Sequence, residues 1–156
     1  MYQIFNDISF EDILYVLNNP WFLSESEWAL QDNKGIKNAF DFAVNKLKLC
    51  DIDGLSKIWK TADGQPIAIL GFYVIGIKKY ETFFLASKLM DNHALKISFD
   101  LRKILKDEMA NYLGCTCIIY STSNHPKQMT WFKFLGFTYV PERNKGAARY
   151  FELASR

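Results

Sequence analysis

Residues 115–137 read Cys-Thr-Cys-Ile-Ile-Tyr-Ser-Thr-Ser-Asn-His-Pro-Lys-Gln-Met-Thr-Trp-Phe-Lys-Phe-Leu-Gly-Phe, and this stretch decides the fold class. Cys115 to Tyr120 is a short apolar run rich in strand formers, and Ser121 to Asn124 are residues that bond their own backbone in turns. Pro126 suits a first helical turn, where its missing N–H would have no partner in any case. Met129, Phe132 and Leu135 then recur at helical spacing, and Gly136 can take the left-handed conformation that ends a helix. Strand, turn, helix and returning strand in this order specify an α/β (α+β) domain.

Working outward, the 156 residues predict one domain, residues 1–156, with 49% apolar residues to fill its core. A formal charge of +2 implies neither a nucleic-acid nor a membrane-surface partner. Aromatics reach 16%, but no basic stripe accompanies them, so nucleic acid is an unfavoured partner and the rings are read as core. Three irregularly spaced cysteines make no disulfide framework, and the start Met-Tyr-Gln-Ile-Phe-Asn-Asp lacks the pattern of a signal peptide, which predicts synthesis in a reducing cytoplasm. The apolar run 67–77 is far shorter than the roughly 20 residues of a membrane helix and reads as a buried strand.

Residues 1–50 read as a helical region. Ser9 caps a helix over 9–18, with Phe10, Ile13, Leu14 and Leu17 as its apolar side. Ser24 with Glu27 predicts a second, box-capped start, and Ile36, Phe40, Ala43, Val44 and Leu47 predict a third helix over 36–49. Asp51-Ile52-Asp53-Gly54 reads as a turn, because the ligand count for calcium is not met. Residues 55–61, 66–75 and 80–87 then predict an antiparallel meander, with Asp63-Gly64 as its hairpin signal. A long helix over 95–113 follows, with Leu101, Ile104, Leu105, Met109, Tyr112 and Leu113 inward and Gly114 beyond its end. The chain closes as a hairpin, with strands to about residue 140 and over 147–153.

The closing residues of the helix in the opening stretch, Phe132-Lys133-Phe134-Leu135-Gly136-Phe137, resemble the fourth-helix segment of the GNAT N-acetyltransferase superfamily, whose members usually end that helix in Tyr-x-x-x-Gly-Phe. The order of elements and the Ser121-Thr122-Ser123-Asn124 turn most resemble an acetyltransferase-like family of short-tailed bacteriophages that includes the internal virion protein A type. The resemblance implies a twisted, mixed but mostly antiparallel sheet with helices on both faces, preceded by the helical region. It also implies acetyl-coenzyme A as cofactor, with the pantetheine arm on the backbone of the fourth strand and the pyrophosphate on a glycine-rich helix start. Carried onto this chain, the cleft is Phe84, Leu85, Ala86 and Ser87 on the strand, Asn92, His93 and Ala94 in the loop, and Asn124 and Phe132 beyond.

Two departures stand against a working transferase. No glycine lies between Gly76 and Gly114, and the loop carries Asp91, leaving Lys88, Lys96 and the helix end as positive partners for a pyrophosphate. Four residues before Gly136, where many members carry a tyrosine that protonates the departing thiolate, stands Phe132, which has no proton to give. Tyr120, Ser121, Ser123 or a water would have to supply the acid, and Glu81, His93 or His125 the base; each base candidate also has a plain reading, as strand end, loop residue or cap neighbour. Cys115 and Cys117 with His125 have the wrong spacing for zinc, so no metal is expected. Arg102, Lys103 and Lys106 form a basic helix face that could dock a partner.

Two functions are therefore expected. The first is an acetyltransferase-like protein with a degenerate coenzyme A loop that binds a virion or host protein, in the host cytoplasm or in the virion. The second is an active N-acyltransferase that uses acetyl-coenzyme A on an amine, with the backbone of residues 84–87 holding the oxyanion.

Overall fold

A computed structural model describes residues 1–155. Its strands are β1 (Tyr2–Phe5), β2 (Gly54–Thr61), β3 (Pro66–Gly76), β4 (Lys79–Ala86), β5 (Thr116–Ser121), β6 (Thr138–Tyr139) and β7 (Arg149–Ala154). Its α-helices are α1 (Phe10–Asn18), α2 (Phe22–Trp28), α3 (Asn33–Ile52), α4 (Ala94–Ala110) and α5 (Pro126–Leu135). The strands form one sheet in the order β1-β2-β3-β4-β5-β7-β6. β4 and β5 run parallel; β1 with β2, β2 with β3, β5 with β7 and β6 with β7 run antiparallel. The expected mixed, mostly antiparallel α/β fold is present. The chain divides into two compact units, residues 1–73 with 83–92 and residues 74–82 with 93 onward.

In the first unit, Ile13, Val16 and Leu17 of α1 and Ala39, Ala43 and Cys50 of α3 pack with Ile58, Ile69, Tyr73, Phe83 and Leu85 of the strands. Each large aliphatic side chain buried there contributes about 1.5–3 kcal/mol relative to exposure. Ser9 caps α1 in a full box with Asp12, as its sequence demands. Phe10 and Leu14, expected inward, are exposed, because the inward stripe of α1 runs through Ile13, Val16 and Leu17 instead. α3 starts at an Asp32 cap and runs through Ile52, so it absorbs part of the expected turn. Ser24, expected to cap a helix, lies inside α2, where its hydroxyl accepts from the backbone N–H of Ala86 rather than from its own helix.

In the second unit, α5 begins at Pro126 and ends at Gly136, whose φ of 107° is the left-handed conformation expected of it. α4 stops at Ala110, and Leu113, expected inward, is 71% exposed beyond the helix end. Trp131 of α5 donates its indole N–H to Ser98 Oγ of α4 at 2.9 Å, and Ser98 in turn donates to the carbonyl of Ala94 at 2.6 Å. Phe132, Phe137 and Phe151 form the aromatic centre of this unit, with ring centroids 4.9–6.2 Å from Phe132.

Burial raises the Cys50 thiol from 9.0 to about 11. Cys117 is pushed up further by burial, with the nearby Glu81 carboxylate adding to the shift. Both thiols therefore stay protonated in the folded chain at pH values where an unfolded thiol ionises. Their contribution to stability is fully present below about pH 9 and is lost as pH rises through the folded values. The denaturation midpoint should accordingly be flat to about pH 9 and fall toward pH 11. Titration with a thiol reagent at pH 8 should label Cys115, which is partly exposed, before Cys50 and Cys117, which should react only on unfolding. Equal labelling of all three in the native protein would contradict this burial.

Candidate functional site: the edge of strand β4

The candidate site is built on the backbone of β4. Its parallel ladder with β5 comprises Lys79 with Thr116, Tyr80 with Cys117 and Glu81 with Ile118, after which β4 continues to Ala86 and β5 to Ser121. Strand groups alternate in direction, so the edge that receives the Thr116 N–H at the Lys78 carbonyl also carries the N–H and C=O of Phe84 and Ala86. Ser87 points the other way, donating its N–H to the Ile67 carbonyl on β3 at 2.8 Å.

The two groups of Ala86 and the carbonyl of Phe84 are already bonded, and their partners come from residues 20–28. The Ala86 carbonyl accepts the Trp21 N–H at 2.9 Å, and the Ala86 N–H donates to Ser24 Oγ at 2.9 Å. The Phe84 carbonyl accepts the Trp28 indole N–H at 3.1 Å. Lys88 N–H donates to the Asn19 carbonyl at 2.8 Å, which makes Pro20 and Ser87 an isolated antiparallel bridge. Trp21, Leu23 and Ser24 are buried, and the Trp28 ring rests on Phe42 and Phe83 at 5.1 and 6.1 Å. The part that Trp21, Ser24 and Trp28 play at this edge escaped the sequence reading, since nothing local marks a hydroxyl destined for a strand 62 residues away.

Beyond β4 the loop is a single 3-10 turn, Lys88–Asn92, leading into α4. Ser87 Oγ is tied to the Pro66 carbonyl at 2.8 Å. Asp91, the charge expected to repel a phosphate, accepts the Trp21 indole N–H at 2.9 Å. His93 precedes α4 without a side-chain cap bond. Its imidazole is held below the ordinary histidine range, chiefly by loss of hydration, with the charge of Lys96 among the smaller contributions.

The remaining candidates belong to the second unit. Glu81 stands in the ladder opposite Ile118. The Tyr120 ring packs at 70° against Tyr150, 5.5 Å between centroids, with the Lys145 ammonium 5.2 Å from it. Ser121 and Ser123 are buried at the end of β5, and the Ser123 carbonyl accepts from Arg149. Asn124 is exposed. His125 caps α5, its Nδ1 accepting the Lys127 N–H at 3.2 Å, which leaves the ring proton on Nε2. Phe132 is 1% exposed and packs against Phe137 and Phe151.

As arranged, these residues do not fit acyl-coenzyme A. The strand groups that would bond the pantetheine amides are bonded to the chain itself, and a further ligand would have to break those bonds. Of the backbone of residues 84–87, expected to hold an oxyanion, the N–H groups of Ala86 and Ser87 are bonded within the chain. Among the described residues no group of three or more His, Cys, Asp or Glu is placed to hold a metal ion, and no helix is long and apolar enough to cross a membrane.

No family model matches the sequence, and no curated protein does. Solved structures match over nearly the whole chain. The PaiA N-acetyltransferase of Thermoplasma acidophilum in complex with coenzyme A is 16% identical, with a TM-score of 0.64 and 99% of each chain covered. A GNAT-family acetyltransferase of Staphylococcus aureus is 9% identical at a TM-score of 0.68, with 100% of each chain covered. The phosphinothricin acetyltransferase of Sinorhizobium meliloti in complex with AcCoA is 10% identical at 0.59, covering 98% of this chain and 89% of that one. The fold of this chain is that of the GNAT N-acetyltransferases.

Proposed function

We propose that this chain is an acetyltransferase-like protein of GNAT fold that does not hold acyl-coenzyme A in the arrangement described, and that it acts by binding another protein. The observation that carries the reading is the double bonding of Ala86, carbonyl to Trp21 and N–H to Ser24. The glycine-free loop and the buried Phe132 support it. A protein partner is supported by the face of α4, where exposed Leu95 and Phe99 lie beside Arg102, Lys103 and Lys106. Phe99 packs edge-on to Phe134 at 5.2 Å, and the Arg102 guanidinium covers that same ring. The phage resemblance implies that the partner is a virion or host protein.

Calorimetric titration with acetyl-coenzyme A tests this. We expect no heat of binding, and no rise in melting temperature at about 1 mM ligand; a site with Kd near 10 μM would add about 2.7 kcal/mol there. Saturable micromolar binding would overturn the reading. It would favour the second one, an acetyl-coenzyme A-dependent N-acyltransferase acting on an amine. That alternative has one observation of its own: the β4–β5 ladder ends at Glu81 and Ile118 while both strands go on.

A further inference from the structure

We propose that the stripe Leu95, Phe99, Arg102 and Lys106 of α4, with Phe134 of α5 beside it, docks an acidic protein segment that sets an aromatic or aliphatic anchor between flanking carboxylates. This inference rests on the reading above that the chain acts by binding protein, and it adds the chemistry of the partner.

The four α4 residues are spaced i, i+4, i+7 and i+11, so they stack along one line of the helix. The side of α4 that packs into the second unit carries Ile97, Leu101, Leu105 and Met109, and that packing does not enclose Leu95 or Phe99. Leu95 is 71% exposed and Phe99 52%. Single exposed apolar side chains are ordinary, but these two are one turn apart and continue into Phe134, whose ring meets Phe99 edge-on. The Trp131 indole bonded to Ser98 fixes the two helices against each other, so the surface is preformed.

The charge of this surface selects the partner. α4 and α5 carry six lysines and arginines against three acidic residues, a surplus of three in a chain whose total is +2. Lys103 is paired with Asp107 at 2.6 Å, whereas Lys96, Arg102, Lys106 and Lys133 form no ion pair among the described residues. The Arg102 guanidinium lies 5.3 Å from the Phe134 ring centre. Stacking uses the flat face of that group and leaves its N–H fork for a carboxylate.

A nucleic-acid backbone fits this surface less well. It would leave Leu95 and Phe99 in water, and Asp100, Asp107 and Glu108 on the same helix would repel a long anion. A short acidic segment with one anchor buries the apolar pair at the centre and meets Arg102 and Lys106 at the rim, which is the anatomy of a small protein interface.

The test selects a random-peptide display library on the whole chain. Enriched peptides are synthesised and titrated by fluorescence anisotropy against wild type, Arg102→Glu, Arg102→Lys and Phe99→Ser, with melting temperatures confirming that each variant folds. We expect peptides rich in Asp and Glu around a Phe, Trp or Leu. Affinity should fall about tenfold or more in Arg102→Glu and in Phe99→Ser, and by less in Arg102→Lys, which keeps the charge without the fork. Binding should also weaken as salt rises from about 0.05 to 0.5 M. Should Phe99→Ser fold poorly, Arg102→Glu decides alone, because Arg102 is an exposed side chain. The proposal is overturned by enrichment of neutral or basic peptides, by no enrichment, or by equal affinity for wild type and Arg102→Glu. Tighter binding of a single-stranded oligonucleotide than of any selected peptide would overturn it too, as would self-association of the chain that Arg102→Glu abolishes. Acetyl-coenzyme A titrated into the same samples keeps the two readings apart. Its binding beside intact acidic-peptide binding would refute the reading that the cofactor is not held and uphold this surface. Binding of neither would leave that reading of the cofactor in place and overturn this surface.

Discussion

Replacing Phe132 with alanine is expected to lower stability by about 3–5 kcal/mol, in the range for emptying a buried aromatic site. The ring is 1% exposed and meets Phe151, Trp131 and Phe137, and the backbone carbonyl of Phe132 accepts the Phe137 N–H at 3.0 Å where α5 ends. Collapse around the cavity is limited because these rings come from different elements, α5, β7 and the residue after Gly136. Chemical denaturation followed by circular dichroism measures the loss; a change below about 1 kcal/mol would contradict the packing. Phe132→Tyr restores the hydroxyl that the superfamily pattern carries, yet here it would enter an apolar cluster. We expect about 1–3 kcal/mol of destabilisation and no acetyl transfer in a thiol-release assay. Gain of activity in that variant would show that the ring faces a reacting group.

Gly54→Ala should be comparably severe. Gly54 opens β2 at φ 151°, opposite Tyr73 in the β2–β3 ladder. A Cβ there would lie 1.9 Å from the Phe72 carbonyl oxygen, a backbone atom of the neighbouring strand. The unfavourable conformation costs about 1–3 kcal/mol. Displacing a ladder carbonyl adds a similar amount, about 1–3 kcal/mol, as overpacking does elsewhere in cores. A urea midpoint that falls with an unchanged slope is the expected result; a shift worth under about 0.5 kcal/mol would mean that the strand start relaxes freely.

Much of this fold can be read from local pattern. The meander follows from alternating apolar residues and from Asp63-Gly64, with Gly64 at φ 87°, and each of its strands lies within two residues of the expected range. α5 follows from Pro126, helical spacing and Gly136. What escapes is what depends on distant partners. β1 is a short strand whose residues are mostly exposed, and it exists because Tyr2 to Phe5 pair with residues 58–61, far along the chain. Ser24 satisfies a local capping rule, but the buried Ala86 N–H is the stronger claimant on its hydroxyl.

The candidate site shows the same division. Placing Phe84 to Ala86 on a strand needed only periodicity. That their edge is filled by Trp21, Ser24 and Trp28 is a tertiary fact with no local signature. Phe132 illustrates the converse. Its spacing with Met129 and Leu135 already argued for the core, and the ring is buried there.

The central claim is that the chain itself occupies the β4 edge at Ala86. The backbone amide resonance of Ala86, followed in a ¹⁵N-labelled sample during titration with acetyl-coenzyme A to about 1 mM, tests it most directly, since even weak millimolar binding would move that signal. The structure predicts that the Ala86 and Phe84 resonances stay in place. A saturable shift of both, with the Trp21 amide moving in step, would contradict it.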